Sequence, residues 1–318
     1  MRISASEANE LLSRIDSHTA DFSGHYTDNY RVHTSAGDAL LRRSRGDVHQ
    51  GYDPRMMPEV DALKAAYTTT ALVPEVLYSS EKFLIEQFIV GSRPALESSD
   101  VLAWVPDLLA QVRKMQSRNI SRPSLRTVYD WQVWFQRFLS NLYATLPPVH
   151  ASRIAELQLP PIEQVWNPDH AQSERALTLV HSDLHPANLL VNDQGVWILD
   201  WELAIAADPI WEAAVALHRT PWPTADIEAQ VTGLWLELYD IDSASDLLRQ
   251  YRTIETWKSL IVDSARFPEH ITADPSCLDS QAQRFHELVT AGTKSCGCAV
   301  LSLGEVRDLL ARWAKQAD

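Results

Sequence analysis

His181-Ser182-Asp183-Leu184-His185-Pro186-Ala187-Asn188-Leu189-Leu190-Val191, followed after a polar turn by Val196-Trp197-Ile198-Leu199-Asp200-Trp201-Glu202, is the stretch that decides the reading of this chain. Leu189 to Val191 and Val196 to Leu199 are short β-favouring runs. Asn192-Asp193-Gln194-Gly195 between them has turn chemistry, with Gly195 free to take positive φ, so the segment predicts a β-hairpin. Residues just outside two such strands face each other, which is expected to bring Asn188 and Asp200 together within roughly 5 Å. An amide oxygen beside a carboxylate suits a hard cation. Mg2+ keeps several waters and takes phosphate oxygens for the rest of its shell, so Asn188 and Asp200 are the candidate metal ligands. Asp183, one loop upstream, is then left to act as a base toward a substrate hydroxyl, with His181 bracing the loop.

The order Asp, Asn, hairpin, Asp is the order in which phosphoryl-transfer sites are assembled. Taken singly, Asp183 reads equally well as a helix cap, Asn188 as a turn residue and Asp200 as a strand end; it is their joint order and spacing that argue for chemistry. The segment resembles the Brenner motif of the aminoglycoside phosphotransferase and choline kinase superfamily, H-G-D-x-x-x-x-N followed by D-W-E. Ala207-Asp208-Pro209-Ile210-Trp211-Glu212 is similar to that family's G-D-P-x-x-D, with Ala207 and Glu212 as departures, and Ser182 and Ala187 stand where Gly is frequent. These departures leave the three presumed chemical groups intact.

The resemblance implies an α+β, bilobal, protein-kinase-like fold. A small N-terminal antiparallel sheet lobe that binds nucleotide, residues 1–91 with a hinge at about 86–91, would precede a larger, mainly helical catalytic and substrate-binding lobe, residues 92–318. It also implies ATP or GTP as phosphoryl donor, with Mg2+. Ser23 and Gly24 would lie over the nucleotide, although one Gly is weak evidence for a phosphate loop. Arg42 is similar to the basic residue that holds the α- and β-phosphates; strand alternation sends Arg42 and Arg43 to opposite faces, and Arg42 is the one aligned with the family position. Glu59, on a helix expected from about Met57 to Tyr67, matches the carboxylate that pairs with that base, an exposed first-turn Glu being the other reading. Glu86, Gln87, Phe88 and Ile89 would form the hinge whose backbone bonds the purine.

Length and composition agree. With 318 residues and 45% hydrophobic content the chain can bury a large core and exceeds the usual single-domain size. The net charge of −14 argues against general nucleic-acid binding. Residues 201–318 hold 18 Asp and Glu against 10 Lys and Arg, which would attract a cationic substrate or simply keep the surface soluble. No apolar signal core and no run of 18 apolar residues occurs, so a cytoplasmic protein without a membrane partner is expected, as monomer or homodimer. Cys277, Cys296 and Cys298 are too few for a disulfide framework and read as plain thiols.

The first helix is followed by two strands about Gly37, Asn29 to His33 and Asp38 to Arg43, then by two more, Glu75 to Tyr78 and Lys82 to Val90. Beyond Ser99 the pattern is helical: Val101 to Ser117, Asp130 to Leu146, Ile210 to Leu217, Ala225 to Leu238, Ala244 to Ala265, Ser280 to Thr290 and Ser302 to Lys315. The acceptor must be bound by this helical region, where Glu202, Trp222, Trp235, Trp257 and Asp263 are candidates for stacking on it or holding an ammonium group. The expected activity is transfer of a γ-phosphoryl group to a hydroxyl of an aminoglycoside or other polar antibiotic, nucleoside-type ones included. A metabolic kinase for choline, homoserine or methylthioribose is the alternative. A pseudokinase is disfavoured by the complete Asp183, Asn188 and Asp200 set.

Overall fold

The computed structural model describes residues 2–15, 19–23, 27–45, 51–120, 125–168 and 175–316. It is α+β, with an antiparallel sheet near the N-terminus and mostly helices after it. The chain divides into two compact units, one of residues 1–122 and 176–240, the other of 123–175 and 241–318.

The first unit opens with helix α1 (Ala5–Ile15). A five-stranded antiparallel sheet follows in the order β1-β2-β3-β5-β4, built from β1 (Phe22–Ser23), β2 (Thr27–Thr34), β3 (Gly37–Ser44), β4 (Val76–Ser79) and β5 (Phe83–Gln87). Ala8, Leu11 and Ile15 of α1 close over Tyr30, Ala39, Leu41, Leu77, Phe83 and Ile85 of the sheet to form one core. Every second residue of β3 enters this core, which turns Arg42 to the other face. There it stands opposite Leu84 of β5, two positions from Glu86. The strands about Gly37 extend further than their sequence runs, while β5 ends at Gln87 rather than Val90.

Helix α2 (Glu59–Tyr67) precedes β4, and α3 (Ser98–Gln116) follows β5. Between β5 and α3, Ser92 and Val191 exchange backbone hydrogen bonds at 3.0 and 2.8 Å. A Cβ on Gly91 would lie 2.9 Å from the Val191 carbonyl oxygen, so only glycine permits that approach. The catalytic segment is framed by the pair β6 (Thr178–Val180) and β9 (Ile205–Ala207), which the sequence did not announce, and holds the hairpin β7 (Leu189–Asn192) and β8 (Gly195–Ile198). Helices α7 (Pro209–Arg219) and α8 (Ala225–Leu236) complete this unit.

The second unit is helical: α4 (Val128–Ala144), α5 (Pro148–Glu156), the single turn α6 (Ile162–Val165), α9 (Ala244–Ala273), α10 (Leu278–Cys296) and α11 (Leu303–Ala314). The aromatic run of α4 is core, as its spacing predicts: Trp131 and Phe135 are fully buried, and Trp131 meets Tyr251 of α9 edge-on at 5.5 Å. The three cysteines are free. Among the described residues no helix is long and apolar enough to cross a membrane.

Candidate active site

The predicted hairpin forms, with Val191 opposite Val196 as its turn implies. Asn192 and Gly195 pair as the last residues of the strands, leaving a two-residue turn in which Gly195 takes φ 122°. The Asn192 side chain fixes this tighter turn, accepting from the Gln194 N–H at 2.9 Å and from the Trp197 indole at 3.2 Å. Counting back along this register, Asn188 stands opposite Leu199, whose N–H donates to its carbonyl at 2.9 Å, and not opposite Asp200, because the second run is one residue longer than the first. The expected face-to-face placement of Asn188 and Asp200 is corrected by one residue.

Asn188 instead turns to Asp183. Its Nδ2 donates to the carbonyl oxygen and to Oδ2 of Asp183, both at 3.0 Å, which directs its own amide oxygen away from that carboxylate. The other oxygen of Asp183 pairs with Arg219, the last residue of α7, and His185 Nε2 lies 3.7 Å from Oδ2. Burial alone would raise Asp183; the Arg219 guanidinium, with His185 and His181, overrides it and holds the carboxyl well below its usual range.

The loop carrying Asp183 is held by its backbone. Glu212 on α7, fully buried, accepts the N–H of His181 at 2.5 Å and of Ser182 at 3.1 Å. Burial pushes this carboxyl up to about 8, the two N–H bonds opposing the rise. Ser182 has φ 63°, the left-handed backbone that explains why glycine is frequent at this place in the motif. Its hydroxyl accepts from the Trp211 indole at 2.9 Å, a bond glycine would lack. His181 is buried, donates from Nε2 to the Leu199 carbonyl at 2.8 Å and packs edge-on against Trp201. Burial lowers its pKa.

The second cluster centres on Arg42, buried to 5% exposure. Its guanidinium pairs with Glu59 and Asp200 and lies 3.7 Å from Glu86. Arg43 leaves on the opposite face and meets the Tyr30 hydroxyl, so alternation places the two arginines as expected. Three carboxylates on one guanidinium leave negative charge in excess. Burial, with Arg42 opposing and Glu59 and Asp200 adding to it, pushes Glu86 up to about 8, and its Oε2 has no hydrogen-bond partner among the described residues. Glu202 beside them also reaches about 8, through burial and then the charges of Asp200 and Glu59, although Arg55 approaches it at 3.4 Å. Asp200 occupies left-handed backbone, φ 63°, with its side chain 37% exposed. A non-glycine residue in this conformation is a strain that persists where function requires it. Oxygen donors with surplus negative charge and no sulfur or nitrogen ligand are hard-cation chemistry, so the residues present fit Mg2+.

The remaining candidates are placed less uniformly. Ser23 lies in β1, and Gly24 lies outside the described residues. Glu86 engages Arg42 through its side chain, and the N–H groups of Gln87 and Phe88 donate to the carbonyls of Glu75 and Asp38 at 2.9 and 3.2 Å. Trp222 is half-buried beside Leu184, His185 and Thr220, lining a cavity of about 10 Å³, room for about one water. Trp235 reaches the same cavity as a buried core residue. Trp257 is fully buried in the second unit, stacked on Tyr143 and donating to the Pro160 carbonyl at 2.8 Å, so it packs rather than cages a ligand. Asp263 lies on α9 of that unit, half-buried. Arg219 and the latch role of Glu212 were not foreseen.

Comparison with known proteins agrees with this geometry. The family model for the phosphotransferase enzyme family, APH, matches residues 19–246. The LicA homologue of Mycoplasma capricolum subsp. capricolum (strain California kid) is 21% identical over 180 residues, 56% of this chain and 66% of its own length. Among solved structures, the gentamicin complex of APH(2")-IIa is similar at a TM-score of 0.55 and 14% identity, covering 96% of this chain and 99% of its own. A choline/ethanolamine kinase family protein from Mesorhizobium loti gives 0.53 and 15%, covering 96% and 99%. The amicoumacin kinase hAmiN gives 0.51 and 13%, covering 82% and 88%. At these identities the likeness shows the fold, which is protein-kinase-like. The family match carries the class: this chain belongs to the phosphotransferase enzyme family and is an enzyme that transfers a phosphoryl group to an alcohol hydroxyl.

Proposed function

We propose that the chain transfers the γ-phosphoryl group of ATP or GTP to a hydroxyl of an aminoglycoside or other polar antibiotic, so conferring resistance. The observation that carries the reading is Asp183, whose carboxylate is gripped by Asn188 and Arg219 on a loop latched by Glu212. A carboxylate fixed in this way orients an incoming hydroxyl; held well below its usual range it is a weak base, which takes up the proton only as the forming bond to phosphorus makes that hydroxyl strongly acidic. Phosphoryl transfer needs little else from the protein than positioning and charge stabilisation. Arg42, steadied by Glu59, is proposed to hold the α- and β-phosphates of the nucleotide, and the backbone of Glu86 to Ile89 to meet the purine. Asp200 and the Asn188 amide oxygen would hold Mg2+, which when bound neutralises phosphate charge. Residues 1–91 and 92–318 are then the nucleotide and catalytic lobes, and a small hydroxylated molecule is the partner.

The antibiotic reading is supported by the gentamicin and amicoumacin named with two of the similar structures. The metabolic alternative draws on the choline/ethanolamine kinase family likeness. ADP and GDP release should be measured over aminoglycosides, nucleoside and peptide antibiotics, choline, homoserine and methylthioribose. Turnover with an antibiotic is expected. Turnover confined to choline, homoserine or methylthioribose would overturn the antibiotic assignment.

A further inference from the structure

Asp183 poses an electrostatic problem that the motif residues do not solve. A carboxylate that orients the attacking hydroxyl stands beside the group being transferred, and that group is itself anionic. During transfer the acceptor oxygen bonds to phosphorus as the bond to the β-phosphate oxygen breaks. The nucleoside diphosphate leaves with that electron pair, and the hydroxyl proton passes to Asp183. Charge spreads over the three equatorial oxygens of the moving group, and a cation at that point stabilises the transition state more than the ground state.

Arg42 is assigned above to the α- and β-phosphates, and its guanidinium is held by Glu59, Glu86 and Asp200, none of which contacts Asp183. Arg55 lies at Glu202. Arg219 is at Asp183 itself. It ends α7, the helix whose first turns carry the Asp208 cap and the Glu212 latch, so one rigid element fixes both the loop and the cation. Its side chain is 24% exposed and that of Asp183 is 14% exposed, which leaves the ion pair partly shielded from water, where charge interactions are stronger.

We propose that Arg219 is a further catalytic residue of this site, a guanidinium that holds the Asp183 carboxylate and contacts the transferring phosphoryl group. The proposal rests on the phosphotransferase reading above. An arginine that merely favours the carbonyl end of a helix would be stabilising at the same position without touching the reaction, and the test separates the two.

Diphosphate release is measured for the parent, Arg219→Gln and Arg219→Lys, with Mg-ATP and the acceptor that gives turnover, and again with Mg-ATP and water alone. Thermal melting of each variant checks folding, and Arg219→Met is read in place of Gln should Gln not fold. We expect the neutral variant to lose about 100-fold or more in kcat, the range for removing one transition-state charge contact. KM for Mg-ATP and for acceptor should stay within about threefold, the pattern of a contact made only in the transition state. The slow reaction with water should fall in the same proportion, and Lys, keeping the charge, should recover at least about tenfold over Gln. A neutral variant with kcat within about threefold of the parent overturns the proposal. So does a raised acceptor KM at unchanged kcat, or Lys no better than Gln. An active parent with an indifferent Arg219 sinks this inference alone; a parent that releases no diphosphate sinks the functional reading with it.

Discussion

Replacing Arg42 with Met keeps the bulk of the buried stem and removes the charge that Glu59, Asp200 and Glu86 share. Breaking a buried ion pair by removing one partner costs about 3–5 kcal/mol, because the remaining charge stays in a poorly solvated place. Two features of the structure place the loss near the lower end at neutral pH. Glu86, pushed up to about 8, already carries its proton there. Asp200, with its side chain 37% exposed, is partly hydrated once its partner is gone. About 3 kcal/mol translates, at roughly 2–4 °C per kcal/mol for large domains, into a fall of about 6–12 °C in melting temperature. The drop should appear in the transition of the unit that contains the sheet, followed by circular dichroism at pH 7. Adding Glu86→Gln should change this drop little at pH 7, because Glu86 is already protonated there and the loss of Arg42 removes the charge that opposed its protonation. An Arg42→Met protein that melts within about 2 °C of the parent would refute the idea that one guanidinium neutralises this cluster. A recovery of most of the drop on adding Glu86→Gln at pH 7 would refute the protonated state of Glu86.

Glu86→Gln alone should show its effect through pH. The folded value of about 8 lies above the ordinary 4.5, so the folded state holds the extra proton between them. The Glu86 contribution is therefore fully present below about 4.5, declines as pH rises, and is lost through pH 8. An uncoupled shift of that size would amount to roughly 5 kcal/mol, an upper figure here because Glu59 shares the titration. The Gln variant should match the parent near pH 4 and melt progressively higher than it as pH rises to about 8; parallel melting curves from pH 4 to 8 would remove Glu86 from the account. Glu212→Ala strands the buried N–H groups of His181 and Ser182, at about 1–3 kcal/mol each. Stability should fall by roughly 2–6 kcal/mol in urea titration and kcat by more than tenfold; unchanged turnover in a folded variant would show that Asp183 is positioned by something else.

What could be read in the sequence was what local chemistry decides. The hairpin, the Arg42 face and the aromatic core of α4 follow from turn residues and periodicity. So does the hairpin's register, Val191 opposite Val196; the expected Asn188–Asp200 pairing failed because the two runs differ by one residue in length, so their outer neighbours are not opposed. Glu86 was seen only as hinge backbone. Its place two residues from Leu84 in an apolar run was the available sign that its side chain turns inward, on the face that also carries Arg42. Arg219 had no local sign, since a basic residue ending a helix is ordinary and its partner lies 36 positions earlier in the chain. Glu212 stood in the motif as a departure, and only the fold shows why a longer acidic side chain serves there, with one oxygen for each of two backbone N–H groups.

The central claim is that this chain moves a phosphoryl group onto a hydroxyl at Asp183. Its most direct test is a single-turnover reaction with Mg-nucleotide labelled at the γ-phosphate and the acceptor identified from the panel, run with the parent and with Asp183→Asn. The account predicts label on the acceptor in the parent, a loss of transfer by about 10³-fold or more in the variant, and nucleotide affinity kept within about threefold. Equal transfer by both proteins, or label found only in inorganic phosphate with the parent, would contradict it.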